Sequence, residues 1–250
     1  SYYIDLLKLI LEASREQYGD YQLLPVSLDM AQGRESIMLQ QGEMIDVTWR
    51  MTSRASEQDL QAIYVPLLKG LMGVRLAIIR QGDSEKFSPD ITLAQLKLIP
   101  VGQGYDWPDR DILKNNGFNV VEGSEFTMLS MLERARFDYF PRAINEPWSE
   151  IADKPQFAVE QNFLLRYPAP IYFFTNKANK RLAKRIEDGF ARIIASGDFD
   201  KHFLQHPITK NILEKAKLSQ RKVFTLNNPL LTEKSRVILN SKSLWLDYLN

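Results

Sequence analysis

Apolar and polar positions change period repeatedly along the chain, so that helix-type and strand-type patterns alternate. Residues 2–18 carry Ile4, Leu7 and Leu11, with Leu6 and Ile10, at helical spacing, and Gly19 closes the run. Residues 21–26 read as a strand. A second helix is predicted over 33–41, stopped by Gly42, and it leads into a strand over 44–49. Residues 53–61 are polar and read as a loop. The run Gly73-Val74-Arg75-Leu76-Ala77-Ile78-Ile79-Arg80 reads as a strand, and 81–90 as a polar, loop-like segment. A similar series begins at Thr92: helix 93–96, strand 98–101, a glycine turn, helix 109–116, strand 118–121, helix 124–134 with Ser124 as N-cap, and strand 137–141. Residues 169–175, centred on Ile171-Tyr172-Phe173-Phe174, form another apolar strand. Helices follow over 180–195 and 199–205, separated by Gly197. The tail from Pro207 is mixed and polar, with an apolar end at Leu244-Trp245-Leu246. Such alternation predicts an α/β protein with largely parallel sheets.

The two series share a pattern. Met38-Leu39 is followed by Asp46 and Arg50, and Met131-Leu132 by Asp138 and Arg142. In each, a strand begins at an aspartate and an arginine stands four residues later, which suggests two α/β lobes. Ligands of parallel sheets sit outside the carboxyl ends of the strands. Arg50, Arg142 and the turn Gly102-Gln103-Gly104-Tyr105-Asp106 are all predicted at such ends. The stretch 101–111 is itself a strand–glycine–helix junction, with Pro108 in the first helical turn. That junction points backbone N–H groups and a helix dipole at an anion, or it is an ordinary turn whose Tyr105 and Trp107 pack.

Composition narrows the function. The 250 residues suffice for one large domain or two modest ones. A hydrophobic content of 44% and a charged content of 25% are those of a soluble globular protein. A net charge of +1 argues against nucleic acid as a partner. No apolar run approaches the roughly 20 residues of a membrane span. Cysteine is absent, which removes thiol catalysis, cysteine-ligated zinc and disulfides. No Ser–His–Asp set, metal cluster or phosphate-binding loop stands out, so no catalytic residue, metal or cofactor is expected.

Three segments carry a resemblance. They are Leu39-Gln40-Gln41-Gly42-Glu43-Met44-Ile45-Asp46-Val47 with Met51-Thr52-Ser53-Arg54; Leu93-Ala94-Gln95-Leu96-Lys97 through Gly102-Gln103-Gly104; and Phe174-Thr175-Asn176-Lys177 through Leu182, with Ile193 to Phe203. In their order and spacing the chain resembles the type 2 periplasmic binding proteins, specifically the family 3 extracellular solute-binding proteins of amino-acid ABC transporters. The similarity spans roughly residues 2–203. It implies two lobes that close on a solute held in the cleft between them, each a mainly parallel sheet flanked by helices. Residues 1–76 and 174–250 would build the first lobe and 77–173 the second, with crossing strands near 73–80 and 169–175. It further implies a small-molecule ligand, a possible ABC permease as partner, a monomer, and a periplasmic location reached through a signal peptide outside this chain. Family members begin with a strand ahead of the first helix, where this chain begins inside the helix. They often carry an amine-binding aspartate where this chain has Pro141-Arg142-Ala143, and a shorter tail.

The candidate ligand-binding residues are Arg50, Thr52, Arg54, Gln103, Gly104, Tyr105, Asp106, Trp107, Arg142 and Glu146. Arg54, or Arg50 in its place, suits a carboxylate clamp, since guanidinium holds carboxylate through two parallel hydrogen bonds. Thr52 would donate its hydroxyl to the same carboxylate, or else it shapes the turn. Arg142 is an anion-binding group or the ion-pair partner of Glu146. With an arginine in place of the acidic amine-binder, the expected solute is acidic, or lacks a cationic amine. Tyr105, Trp107 and Trp148 stack on a ligand or belong to the core. Asp106 binds a cationic group or caps the next helix. His202 and His206, four apart, read as a surface pair in preference to a metal site. A ligand-sensing domain of a signalling receptor is the alternative function, and an enzyme on the same fold the third.

Overall fold

The computed structural model describes residues 1–26 and 32–246. Residues 27–31 and 247–250, assigned above to the first lobe, lie outside them. In chain order, α1 (Tyr2–Ala13), α2 (Arg15–Tyr18) and α3 (Gln32–Gln41) precede β1 (Val47–Met51), α4 (Arg54–Asp59) and β2 (Gln61–Ile63). There follow β3 (Val74–Arg80), α5 (Leu93–Leu98), β4 (Val101–Gly104), α6 (Pro108–Asn115), β5 (Val120–Gly123), α7 (Met128–Glu133), β6 (Tyr139–Ala143), α8 (Pro147–Glu150), β7 (Phe157–Val159) and β8 (Phe163–Arg166). Last come β9 (Ile171–Thr175), α9 (Lys180–Ala195), α10 (Asp198–Gln205), α11 (Ile212–Ala216), β10 (Lys222–Thr225) and α12 (Glu233–Ile238).

These elements form two compact units. Unit 1 comprises Ser1–Lys69, Pro170–Asn211 and Thr232–Trp245, and unit 2 comprises Gly70–Ala169 and Ile212–Leu231, with Leu246. The tail is therefore divided, where the sequence placed all of it in the first lobe. The reason is β10, which pairs in parallel with β8 along Lys222–Thr225 and so takes residues 212–231 into unit 2.

In unit 1 the described strands form the order β1-β9-β2. The strand β9 is antiparallel to both neighbours and buries all five of its residues. Helix α9 lays Ala183, Ile186, Phe190 and Ile193 into the core at helical spacing, and Asn179 caps it by accepting from the Leu182 N–H at 3.1 Å. Unit 2 holds a seven-stranded sheet of order β10-β8-β3-β6-β4-β5, with β7 also on β3. Here β10/β8, β6/β4 and β4/β5 are parallel, whereas β3 is antiparallel to β6, β7 and β8. The described strands of unit 1 pair only antiparallel and the unit 2 sheet is mixed, so neither is mainly parallel. Parallel neighbours need a crossover helix between them, and β3 and β9 enter their sheets without one.

Local differences have local causes. Residues 21–26 form no regular strand. Residues 54–59, read as a loop for want of apolar positions, are helical because Ser53 caps them, accepting from the Ser56 N–H at 3.1 Å. The first helix breaks at Ser14 into α1 and α2. Residues 125–127 form a 3₁₀ turn ahead of α7, and Ser124 makes no side-chain cap there. Strands β4, β5 and β6 start two or three residues later than the apolar runs suggested. Gly102 and Gly104 consequently lie inside β4, not in a turn after it.

Candidate functional site

In unit 2 the ends of β4 and β6 gather most of the candidate residues. Gln103 is fully buried on β4 and donates its side-chain amide to the Pro141 carbonyl at 3.2 Å. The backbone N–H groups proposed as anion donors are engaged inside the unit: Gly104 donates to the Gln103 side-chain oxygen at 3.3 Å and Tyr105 to the Gly123 carbonyl at 3.0 Å. Tyr105 itself is exposed, and its carbonyl accepts from Arg110. Asp106 is not the N-cap residue of α6. The N-cap position is Trp107, with no side-chain bond, and Pro108 stands in the first turn.

Trp107 is buried among Ile78, Met128, Phe137 and Phe140, its ring stacked on Phe140 at 6.1 Å and 11°. Its indole Nε1 has no hydrogen-bond partner among the described residues. A Cβ on Gly104 would lie 2.5 Å from the Trp107 ring, and one on Gly102 2.3 Å from the Phe137 ring. Both glycines are therefore demanded by the close approach of aromatic rings to β4. Over the Trp107 ring, at 4.6 Å, lies the Arg142 guanidinium.

Arg142, on β6, is held from the other side by carboxylates. Its Nη2 is 2.6 Å from Glu150 Oε1 and its Nε 2.9 Å from the same oxygen, while Glu146 Oε2 lies 3.2 Å from Nη2. Burial works against the charged guanidinium, but the Glu146 and Glu150 carboxylates outweigh it and raise its pKa. Glu146 also accepts from the Ala143 N–H at 2.8 Å, so α8 is pinned to the end of β6. The sequence offered the Glu146 pairing as an alternative but not Glu150, which supplies the shorter bonds.

A second ion pair beside it was not foreseen. Arg75 of β3 and Asp109 of α6 meet at 2.7 Å with both side chains almost wholly buried, and the Tyr167 hydroxyl donates to the same Asp109 oxygen. Arg142 and Arg75 thus face three carboxylates, Glu146, Glu150 and Asp109. Trp148 is half-buried, with Lys215 Nζ 4.7 Å from its ring centre.

Unit 1 carries Arg50, Thr52 and Arg54. Arg50, buried on β1, pairs with Glu35 of α3 at 2.9 Å and donates to Ser36. Arg54 is exposed at the start of α4 and makes no ion pair among the described residues. Thr52 is fully buried and donates to Glu57 Oε1 at 2.6 Å. Glu57 accepts three further hydroxyls: Ser235 at 2.6 Å, Thr232 at 2.6 Å and Tyr64 at 2.8 Å. Burial, and then this hydrogen bond to Glu57, push the Tyr64 hydroxyl up from its ordinary pKa. His202 and His206 are half-buried. The first faces the Tyr2 carbonyl at 3.2 Å and the second Asp5 at 3.2 Å, and no cluster of metal-ligating side chains occurs among the described residues. A cavity of about 760 Å³ also lies in unit 1, between Ile4, Leu7 and Leu11 of α1, Val47 and Trp49 of β1, and Leu182 of α9. None of the ten candidate residues lines it.

No protein-family model matches the chain, and no curated protein is similar to it in sequence. Solved structures are similar to it in fold. A probable amino-acid ABC transporter extracellular-binding protein of Bacillus subtilis superposes with a TM-score of 0.59, covering 84% of this chain and 88% of that one at 14% identity. The fold is that of the type 2 periplasmic binding proteins. A Streptococcus pneumoniae amino-acid ABC transporter substrate-binding protein bound to L-arginine shares it at a TM-score of 0.59 and 12% identity, over 85% of this chain and 83% of that one. So does a histidine kinase sensor domain similar to periplasmic binding proteins, at a TM-score of 0.55 and 14% identity, over 79% and 83%. No helix among the described residues of this periplasmic-binding-protein fold is long and apolar enough to cross a membrane.

Proposed function

We propose that this chain is an extracytoplasmic solute-binding protein that captures a small organic solute of the amino-acid class for ABC-type uptake. The observation that carries the reading is the likeness, over more than four-fifths of both chains, to binding proteins of amino-acid ABC transporters. The proposal places solute contacts on Arg54 in unit 1 and on the β4 and β6 ends in unit 2, and it assigns no catalytic residue.

The charge pattern refines the solute. Arg50 is matched by Glu35, and Arg142 by Glu146 and Glu150. A cation already neutralised by fixed carboxylates gives an incoming acid little net attraction, and the carboxylates repel it. The expected solute is therefore not an acid but one with no net negative charge, such as a zwitterionic or cationic amino acid. Native mass spectrometry of the purified protein, followed by calorimetry against neutral, basic and di-acidic amino acids, tests it. A neutral or basic amino acid should bind and the di-acids should not; tight binding of di-acids alone refutes the refinement, and no binding across the panel refutes the solute-binding reading.

A second reading is the sensing domain of a signalling receptor, favoured by the likeness to the histidine kinase sensor domain. A kinase or other signalling domain encoded in the same gene would select it, and a neighbouring permease gene would select uptake.

A further inference from the structure

Helix α12 and the segment Thr52–Glu57 are joined through a single carboxylate. Glu57 Oε1 receives Thr52 and Ser235, each at 2.6 Å, and Oε2 receives Thr232 at 2.6 Å and Tyr64 at 2.8 Å. Four hydroxyl protons thus occupy both oxygens, and no cation pairs with Glu57 among the described residues. Because a hydroxyl has one proton, Ser235 can only accept from its next neighbour, the Tyr172 hydroxyl at 3.2 Å. Thr232 serves twice, since it also caps α12 by accepting from the Ser235 N–H at 3.1 Å.

What α12 buries is equally informative. Its only buried residue is Ser235, while Val237 is more than half exposed. A six-residue helix has little stability of its own, and no fully buried apolar side chain ties this one to unit 1. Its attachment is the hydroxyl–carboxylate cluster, with Lys69 reaching the Ser243 carbonyl at 3.3 Å further along. Under that attachment Thr52 and Ser235 are both 0% exposed.

We propose that α12 is a releasable cover over the Thr52–Glu57 segment, and that Glu57 is the catch that holds it. The inference rests on the solute-binding reading above, in which this segment meets the solute: Thr52 becomes available only when Thr232 and Ser235 let go of Glu57. The tail thereby acquires a regulatory role, setting how readily unit 1 offers its buried hydroxyl. An apolar anchor would fix the helix permanently; a carboxylate holding hydroxyls gives a contact that water or a solute can replace group for group.

The absence of cysteine makes the cover directly measurable. A Thr52→Cys variant is labelled with N-ethylmaleimide, alone and combined with Thr232→Val and Ser235→Ala. Losing two hydrogen bonds to a charged group should raise the labelling rate roughly tenfold or more. A parallel Ala62→Cys variant, buried on β2, should keep its slow rate in the same background. An unchanged rate at position 52 overturns the proposal, and so does an equal rise at position 62, which would mean general loosening. Hydrogen exchange on the unaltered protein supplies the check that needs no variant: amides of 233–238 should exchange faster than those of 47–51, and equal rates would show that α12 opens only when unit 1 unfolds. Finally, a solute identified by the calorimetric panel should associate faster with the Thr232→Val, Ser235→Ala protein. Unaltered association despite faster labelling overturns the regulatory role, whereas the absence of any solute sinks the binding function and leaves the labelling result to judge the cover.

Discussion

Arg142 donates from Nε and Nη2 to the Glu150 carboxylate, at 2.9 and 2.6 Å to one oxygen, while its other face lies 4.6 Å from the Trp107 ring centre. The arginine is thus sandwiched between an acid and an aromatic surface, both on unit 2. Removing the acid alone strands a largely buried guanidinium. Glu150→Ala should destabilise unit 2 by about 1.5–3 kcal/mol, the range for a hydrogen bond to a charged group, read as a lowered urea midpoint. Glu150→Gln keeps a hydrogen-bond acceptor and should recover part of the loss. If the solute contacts Arg142, the same Gln variant should bind acidic amino acids better than the parent does, measured by calorimetry.

The Arg75–Asp109 pair, at 2.7 Å with side-chain exposures of 2% and 6%, is buried more deeply. Breaking one half of such a pair typically costs about 3–5 kcal/mol, because the other charge is left without compensation. Asp109→Ala should therefore lower the melting temperature sharply, and it also deprives the Tyr167 hydroxyl of its acceptor. Replacing both partners together, Arg75→Met with Asp109→Leu, should cost much less than the single change. Thermal unfolding of the three variants measures the difference.

How much of this was legible in the sequence follows from which signals are local. Asp46 and Asp138 each stand immediately before a strand, and Arg50 and Arg142 are each the fourth residue of that strand, so the repeated aspartate–arginine spacing marked real positions on β1 and β6. The length and buried face of α9 were equally readable from its period. What the arginines touch was legible only at Glu146, offered as a partner of Arg142; Glu35 and Glu150 were not. Glu57 and Thr232 meet across 175 positions of sequence, and a hydroxyl seeking a carboxylate leaves no periodic trace in either neighbourhood. The antiparallel pairings escaped for a related reason: strand direction depends on how the chain enters a sheet, and the apolar pattern of β3 or β9 is the same in either direction.

Asp138, the residue immediately before β6, accepts from Lys86 Nζ at 2.7 Å and Arg80 Nη2 at 2.5 Å. Burial alone would raise its carboxyl pKa, but the hydrogen bonds from Lys86 and Arg80 outweigh burial and hold it below the ordinary aspartate value. A carboxyl depressed in the folded state binds its proton less readily than in the unfolded chain. Its contribution to stability is therefore complete above the unfolded value of about 4 and is lost as pH falls through the lower folded value. Asp138→Asn should be less stable than the parent by a constant amount above roughly pH 5, with the gap closing in more acidic solution. Urea midpoints of the two proteins between neutral and acidic pH test this, and a gap that widens on acidification would contradict the assigned pairing.

Gly104 is the position at which the unit 2 cluster tolerates least. It lies in β4 against the Trp107 ring, which is itself stacked on Phe140 and covered by Arg142. A methyl group there would meet Trp107 Cδ2 at 2.5 Å, closer than non-bonded carbon atoms approach, so ring or strand must move. The ring has little freedom, since Ile78, Met128, Phe137 and Phe140 pack around it. Gly104→Ala should accordingly cost about 1–3 kcal/mol, the usual penalty for overfilling a packed core. It should also shift the fluorescence of Trp107, because the displaced ring changes its distance from the Arg142 charge. Gly33→Ala is the control. Gly33 lies in α3 with nothing among the described residues within 4 Å of the added methyl, so the substitution should be neutral or slightly stabilising. Equal effects of the two substitutions on stability would show that Trp107 is not wedged against β4.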